Sequence, residues 1–428
     1  MAMKRSSGFT LVELLTSLTA GLIIAVSVIT LSRYATNTFY DEVRTASAEA
    51  NLRIAIDRLR GDVQRTSYMS TGNIVKDIAI ARAVSELNTT SIPTTLVGLR
   101  SLAGIRVTSP TALSLSTQNG LSPDTLDVAG NFTSTDDFPV RSLGAIENSC
   151  QKIWLQSDTP AMYRLLATAG AGDAGVSVDN ASSALQTVFH PAGPAAAQYL
   201  VRISDDTGRF QYAPLCPTGS STMFLTVSQP YVSVAVNTTG VGVMGPGPDR
   251  LGGVGGIGPK ASINPVQVVR WAIQPSTAAG LNSDAGDSGK YDLVRTFLDA
   301  SGNAVVGGSE VIAEYAVDFK VTFTYMNTAV TPPALVTLPF GDSNIPVIGA
   351  DINVGGSMPQ RIRSVLVRLS TRSSSSDRTM NLPDAGSGFR YRYCTDPAGA
   401  CTSDKPVWAR VRTVTAEFAL PNQLRMTY

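Results

Sequence analysis

The sequence is poor in the residues that most often carry metal chemistry. Its 428 residues include one histidine, His190, and four cysteines, none of them in a C-x-x-C pair. Zinc in proteins is bound by a cluster of histidine, cysteine or carboxylate ligands. The sequence therefore does not predict a zinc site, and no motif in it requires a cofactor.

Charge and aromatic residues are also scarce. Charged residues make up 16% of the chain, the net charge is +1, and aromatic residues make up 7%. Nucleic-acid binding needs a basic surface, usually with aromatic side chains for stacking. We therefore expect no nucleic-acid partner, and the many small and β-branched residues favour a loop-rich β structure.

The four cysteines are few and even in number, which is typical of disulfides in an oxidising compartment. Cys394 and Cys401 bracket the Pro/Gly turn TDPAGA, which can bring the two thiols together, so we expect a bridge between them. Cys150 and Cys216 form the second expected pair.

An uninterrupted apolar segment, residues 9–31, follows a short basic N-terminal stretch. As a helix it spans roughly 35 Å, enough to cross a bilayer. Lys4 and Arg5 precede it and place the N-terminus in the cytoplasm by the positive-inside rule. A cleaved secretory signal has a shorter apolar core that ends in a small-residue cleavage site. We therefore expect residues 9–31 to be the transmembrane half of a longer helix.

One carboxylate, Glu13, lies near the start of this apolar segment. A charge in the centre of a bilayer costs roughly 2.5–3.5 kcal/mol on insertion scales, and a plain membrane anchor has no need for one. The surrounding pattern S-G-F-T-L-V-E-L-L resembles the class III leader of type IV prepilins. In that leader a short basic segment ends in glycine, then come phenylalanine and, at the fifth mature position, glutamate. Gly8, Phe9 and Glu13 match these three positions.

The resemblance implies a processing reaction and an assembly role. A prepilin peptidase is expected to remove the leader, residues 1–8, by cutting between Gly8 and Phe9, and the new amine of Phe9 is expected to be methylated. Glu13 would then pair with the amine of Phe9 in a neighbouring subunit. A buried pair of this kind fixes register, because a mispaired carboxylate stays buried without a partner.

The helical pattern continues beyond the membrane segment as an amphipathic half, residues 32–70. It contains no proline, and no glycine before Gly61, so we expect one helix from about Thr10 to about Thr66. Arg58 and Asp62 are expected to pair on its surface. Two neighbouring apolar stripes are expected to pack on a globular head: Leu52, Ile56, Leu59 and Val63, and Val43, Ala46, Ala50 and Ile54.

From residue 71 onward, short β-branched segments alternate with Gly, Pro, Asn, Asp and Ser clusters, which predicts a β-rich, mostly antiparallel head. The expected fold class is α+β, a long N-terminal helix packed on this head. Polar and apolar residues alternate near residue 365, which predicts a sheet with one buried face, and residues 310–319 favour a short helical turn. Strands are predicted at 152–156, 198–204, 222–236, 264–274, 292–299, 317–326, 362–373 and 410–420.

Three segments in the last third of the chain resemble PilW-type minor pilins and the related J-type pseudopilins of type II secretion. They are an apolar-acidic segment before a strand, a strand of alternating basic and apolar residues, and a closing strand with an Asn-containing cap. The cap here is Pro421-Asn422, where the family often has Arg-Asn. The resemblance covers residues 1–70 and 264–428 and implies the type IV pilin fold. Residues 85–262 are then an insertion that enlarges the head, with a glycine-rich surface loop at 240–259.

Two further motifs resemble sites of other chemistry. The segment G-D-S-G resembles the nucleophile segment of chymotrypsin-like proteases, with Ser288 as nucleophile and His190 as base, although such a sequence also suits a surface turn. Asp284, Asp287 and Asp292 offer oxygen ligands for calcium, but their spacing departs from the EF-hand loop. A solvated Asp/Gly/Ser loop is the other interpretation of these three residues.

These observations favour a non-catalytic minor pilin that primes type IV pilus assembly and lies in the pilus tip. Its expected partners are the prepilin peptidase, the major pilin, other minor pilins, the inner-membrane assembly platform and a large tip adhesin. Before assembly it would sit in the inner membrane with a periplasmic head, and afterwards on the extracellular pilus. A J-type pseudopilin in a type II secretion pseudopilus carries the same leader and is the alternative. A membrane-tethered serine hydrolase that uses Ser288, or an adhesin that uses residues 85–262, is the alternative from another class.

Overall fold

The computed structural model describes most of the helix and of the sheets that follow it. The described residues are 10–80, 97–108, 119, 121–147, 150–156, 159–168, 185, 187–191, 199–206, 208–216, 232–237, 246–247, 250–251, 260–275, 290–349, 357–374, 390–393 and 407–424. The chain divides into two compact units, Met1–Ala50 and Asn51–Tyr428.

The first element is a single α-helix, α1 (Leu11–Arg65), of 55 residues. It confirms the helix predicted from Thr10 to Thr66 to within one residue at each end. Leu52, Leu59 and Val63 of the first apolar stripe are at most 1% exposed, as a helix with one face on a core requires.

Ile54 of the second predicted stripe lies in the same compact unit as the head and is 63% exposed, so the prediction that it is buried is wrong. At 3.6 residues per turn Ile54 points away from Leu52. A helix that packs on one layer of sheet buries one face only, and here that face carries the first stripe.

Three short helices, one 3₁₀ turn and the strands complete the described elements. The helices are α2 (Val97–Arg100), α3 (Pro160–Thr168) and α4 (Ile345–Ile348), and the 3₁₀ turn is Pro359–Arg361. The strands are β1 (Ile105–Thr108), β2 (Thr125–Gly130), β3 (Phe138–Glu147), β4 (Cys150–Leu155), β5 (Leu200–Ser204), β6 (Phe210–Pro214), β7 (Val232–Asn237), β8 (Pro246–Gly247), β9 (Arg250–Leu251), β10 (Ser262–Pro275), β11 (Tyr291–Leu298), β12 (Ala304–Ala313), β13 (Ala316–Asn327), β14 (Ala334–Thr337), β15 (Ile362–Arg372), β16 (Arg390–Tyr393) and β17 (Val407–Ala419).

The larger sheet is organised around the long strand β10. The described strands follow the order β1-β2-β10-β3-β4-β7, and β11 and β5 also pair with β10. The first half of β10 pairs with β5 over Ser262–Val266, and its second half pairs with β2 and β11. Strands β1 to β7 come from residues 85–262, so this predicted insertion pairs directly with β10. The glycine-rich residues 240–259 contribute the two-residue strands β8 and β9 and otherwise lie outside the described residues.

The second sheet has the order β14-β13-β15-β17-β16 among the described residues, and every pairing in it is antiparallel. In β15, Ile362, Val365, Val367 and Leu369 are fully buried, while the intervening residues from Arg363 to Arg368 are half-buried. This pattern confirms the alternation predicted for the segment. The buried face joins the stripe Leu52–Val63 of α1 in one hydrophobic core.

The predicted helical turn at 310–319 is wrong. Strand β12 ends at Ala313, a turn at Glu314 and Tyr315 follows, and β13 begins at Ala316. Strand β12 pairs with β11 in the larger sheet, whereas β13 pairs with β14 and β15 in the other. The two residues therefore carry the chain from one sheet to the next, and backbone pairing on both sides outweighs the helical tendency of the segment.

Candidate functional site

The start of α1 is a capping box formed by Thr10 and Glu13. The Glu13 carboxylate accepts hydrogen bonds from the backbone N–H and the hydroxyl of Thr10, each at 3.0 Å. The N–H of Glu13 in turn donates to the Thr10 hydroxyl oxygen at 3.3 Å. This reciprocal arrangement satisfies N–H groups that a helix start leaves without partners.

The capping box corrects one part of the sequence interpretation. Glu13 has a local use, because it closes the first turn of α1, so its presence alone does not exclude a plain anchor. The sequence signal was available: Thr10 and Glu13 have the S/T-x-x-E spacing of a capping box immediately before an apolar run. Both hydrogen bonds from Thr10 go to Oε2 of the carboxylate, so Oε1 can still accept a bond from a cation.

The helix beyond Glu13 presents an apolar surface. It is long and apolar enough to cross a membrane, and none of its most apolar window is buried. Leu15, Leu22 and Ile29 are each more than half exposed. The hydroxyls of Thr16, Ser17, Thr19, Ser27 and Thr30 each donate to a carbonyl three or four residues earlier. An apolar environment therefore meets few unsatisfied polar groups along this segment, and by length and composition α1 can anchor the chain in a membrane.

The structure settles one of the two predicted disulfides. Cys150 and Cys216 are bonded; Cys150 begins β4, and Cys216 lies just after β6, which ends at Pro214. This pair confirms the second prediction. Cys394 and Cys401 lie outside the described residues, as do Gly8 and Phe9.

The residues of the hydrolase interpretation are only partly described. Ser288 lies outside the described residues. His190 is 4% exposed and lies edge-on to the ring of Tyr199 with a centroid distance of 5.5 Å. Burial lowers the pKa of His190 to about 4. Its Nδ1 is buried without a hydrogen-bond partner, so the histidine has the surroundings of a core residue.

The calcium candidates are likewise only partly described, since Asp284 and Asp287 lie outside the described residues. Asp292 is a buried residue of β11 and not part of a loop. Its carboxylate accepts the N–H of Tyr315 at 3.0 Å and lies 3.8 Å from the ammonium of Lys290. Burial raises the pKa of Asp292 despite these two contacts.

Among the described residues, several ion pairs with buried carboxylates were missed by the sequence analysis, and two of them involve Asp62 and Asp127. Asp62 of α1 accepts the Nε–H of Arg295 at 2.7 Å and the indole N–H of Trp271 at 3.1 Å. It therefore binds the sheet and not Arg58, the partner expected from helical spacing. Arg58 contacts Glu310 instead, at 3.4 Å. An arginine at an inward position of the apolar strand β11 was the sequence signal for this pair.

The second missed carboxylate, Asp127 of β2, lies between Arg270 and Arg106. Burial raises the pKa of Asp127, but the hydrogen bonds and positive charges of the two arginines outweigh burial and hold the pKa below its usual range. The first pair joins α1 to β11, the second joins β2 to β10 and β1, and both stabilise the packing of the head.

Comparison of the chain with protein-family models, with curated proteins and with solved structures found no match.

Proposed function

We propose that this chain is a minor pilin that primes type IV pilus assembly and sits in the pilus tip complex. The observation that carries the proposal is the placement of Glu13. It lies in the first turn of an exposed apolar helix, directly after the sequence S-G-F-T that matches a prepilin cleavage site. An exposed apolar helix of this length needs either a membrane or other helices around it.

The contacts of Glu13 suggest how one carboxylate serves both environments. In the free subunit, the hydroxyl and N–H of Thr10 solvate the carboxylate inside its own chain. After cleavage, the amine of Phe9 in an adjacent subunit supplies a positive charge, and opposite charges attract more strongly in an apolar environment than in water. This added attraction to the Glu13 carboxylate then drives docking, and an incorrectly docked subunit lacks it.

The proposed partners follow from this scheme. A prepilin peptidase cuts after Gly8, the assembly platform takes up the helix from the inner membrane, and other minor pilins and the major pilin pack around it. A tip adhesin is a further partner of the head. The Cys150–Cys216 disulfide supports an oxidising compartment for the head, such as the periplasm and then the cell exterior.

The test combines intact-mass measurement of the wild-type subunit with pilus counts for three variants. We expect the mass of a chain that begins at Phe9 with a methylated amine. Glu13→Gln removes the charge but keeps the size, and should lower pilus number at least tenfold, since an uncharged amide cannot form the ion pair. Thr10→Val should leave pili in place, because the docking charge remains. Glu42→Gln is the matched control, an exposed glutamate on the same helix outside the apolar segment.

Two outcomes would contradict the proposal. A mature protein that keeps residues 1–8, or one that begins beyond residue 31, would make it an ordinary anchored or secreted protein. Equal pilus numbers for the Glu13 and Glu42 variants would remove Glu13 as the docking charge. If the mass is as expected but pili are unaffected while secretion of a folded substrate fails, the pseudopilin alternative takes the place of the pilus role.

A further inference from the structure

The end of α1 is closed by residues from the other end of the chain. After β17 the chain makes a turn, Pro421–Leu424, which we call the closing turn. The side-chain amide of Asn422 donates to the backbone carbonyl of Gln64 at 3.0 Å and to that of Thr66 at 3.1 Å. These contacts span 358 and 356 residues of sequence. A C-terminal residue thus caps the first helix.

Asn422 bonds the helix-end carbonyl that the turn after α1 leaves without a partner. The last four carbonyls of an α-helix have no partner within the helix. The carbonyls of Val63 and Arg65 accept N–H groups of the turn that follows α1, at 3.1 and 2.9 Å, and that of Asp62 accepts a hydroxyl of the same turn. The carbonyl of Gln64 accepts its hydrogen bond from outside this region, from the side-chain amide of Asn422. The closing turn therefore completes the cap.

A second residue of the closing turn fixes the backbone just beyond the helix. Gln423 is fully buried, and its amide donates to the Ser67 hydroxyl oxygen at 3.0 Å. Ser67 has a φ of 60°, a left-handed conformation that usually favours glycine. A Cβ on Gly104 would lie 1.9 Å from the Ser67 oxygen and 2.2 Å from the Gln423 nitrogen. The glycine at 104 is therefore required for Ser67 and Gln423 to meet.

The closing turn is in turn held by the second sheet. Arg363 of β15 donates to the backbone carbonyl of Gln423 at 3.1 Å, and Leu420, which precedes the turn, is fully buried and donates its N–H to the Arg363 carbonyl. The closing turn is thus bonded to β15, which pairs with β13 on one side and β17 on the other. These contacts hold the Asn422 amide in a fixed position at the end of α1.

We propose that the closing turn acts as a lock on the last turn of α1, with Asn422 as its positioning residue. The lock forms only after the final strand, β17, has joined the sheet. The helix is synthesised before the closing turn, so a chain that stops before Pro421 lacks the Asn422 amide that bonds the carbonyls of Gln64 and Thr66. The end of α1 is therefore fixed only in a chain that includes the closing turn. This inference does not depend on the proposed function.

The test is hydrogen exchange, measured by mass spectrometry on the full-length chain in detergent. The variant Asn422→Ala removes both bonds to the helix end and leaves the strand β17 in place. We expect backbone amides in residues 66–70 to exchange about tenfold faster, as the loss of two hydrogen bonds from a locally opening segment predicts. Peptides from β13 and β15 should keep their wild-type rates. The matched control is Asn344→Ala, because Asn344 is an exposed asparagine whose amide bonds within a surface turn.

Unchanged exchange in residues 66–70 would overturn the lock. So would an equal acceleration in every peptide, which is general destabilisation. If Asn422→Ala does not accumulate as folded protein, Asn422→Ser keeps one donor and should give the same local pattern with a smaller amplitude. Gly104→Ala places a Cβ against Ser67 and Gln423 and so disturbs the contact between the closing turn and the end of α1. Wild-type exchange at residues 66–70 in that variant would also contradict the proposal.

Discussion

At the scale of single residues, His190 makes the head sensitive to mild acid. Burial lowers its pKa to about 4, from an ordinary value of 6.5. Between these two pH values the unfolded chain binds a proton at this position and the folded chain does not. The contribution of neutral His190 to the free energy of unfolding is therefore fully present above pH 6.5. It is lost as the pH falls towards 4, and the loss is about 3 kcal/mol in total.

The variant His190→Leu tests this dependence. Leucine suits the buried site, and the buried Nδ1 has no hydrogen-bond partner to lose, so we expect near wild-type stability at pH 7. Between pH 6.5 and pH 4 the free energy of unfolding of the variant should fall by about 3 kcal/mol less than that of the wild type. Chemical unfolding of both full-length chains in detergent, followed by the fluorescence of buried Trp271, measures the difference. If the free energy of unfolding falls equally with pH in the two chains, His190 is accessible to protons in the folded head and the prediction is wrong.

At the scale of elements, one buried ion pair contributes to the contact between α1 and the larger sheet. Asp62→Ala leaves the Arg295 guanidinium buried without its carboxylate, and should lower the free energy of unfolding by about 3–5 kcal/mol. Asp57→Ala on the exposed side of the same helix, where the carboxylate lies 3.8 Å from Arg60, should cost less than about 0.5 kcal/mol. Thermal unfolding of the two variants gives the comparison.

A double variant separates the pair from simple packing. Asp62→Leu with Arg295→Met replaces both charges by apolar side chains, and should recover most of the stability that Asp62→Ala loses, because no unpaired charge remains. The indole N–H of Trp271 also loses its acceptor, so recovery should stop short of the wild type by about 1 kcal/mol. A double variant no more stable than Asp62→Ala would contradict this account.

At the scale of the whole molecule, the disulfide ties together strands of residues 85–262. Cys150 and Cys216 are 66 residues apart in sequence, and their bond limits the freedom of the unfolded chain between β4 and β6. Replacing both by serine should lower stability by about 2–4 kcal/mol. The double substitution leaves Cys394 and Cys401 untouched, so the shift of the melting temperature reports this bond alone. An unchanged melting temperature would mean that the packing of β4 and β6 already restrains this part of the chain.

Much of this architecture could be derived from local patterns. The bounds of α1 followed from an apolar run without proline and from the stripe Leu52–Val63. The buried face of β15 from Val365 to Leu369 followed from the alternation of that segment. These features depend on residues close in sequence, because helix and strand periods are local properties of the backbone. The Thr10–Glu13 capping box is equally local, and the sequence analysis passed over it because Glu13 was interpreted only through its charge.

Other features were fixed by contacts between distant segments, and no local pattern could give them. Asp62 binds Arg295 and not its helical neighbour Arg58, because the face of α1 that carries Asp62 is covered by β10 and β11. Ile54 is exposed because one layer of sheet covers only one side of a helix. Residues 310–319 became two strands because their pairing partners lie in two different sheets.

The sequence by itself thus determined the long helix, its apolar first half, the β-rich head and the motif S-G-F-T-L-V-E. The tertiary structure alone decided how the strands of residues 85–262 join β10, which carboxylates are paired in the core, and that Asn422 closes the end of α1. The physical reason is the range of the interactions. Hydrogen bonding within a helix and alternation along a strand act over a few residues, whereas burial and ion pairing depend on which surfaces meet after the whole chain has folded.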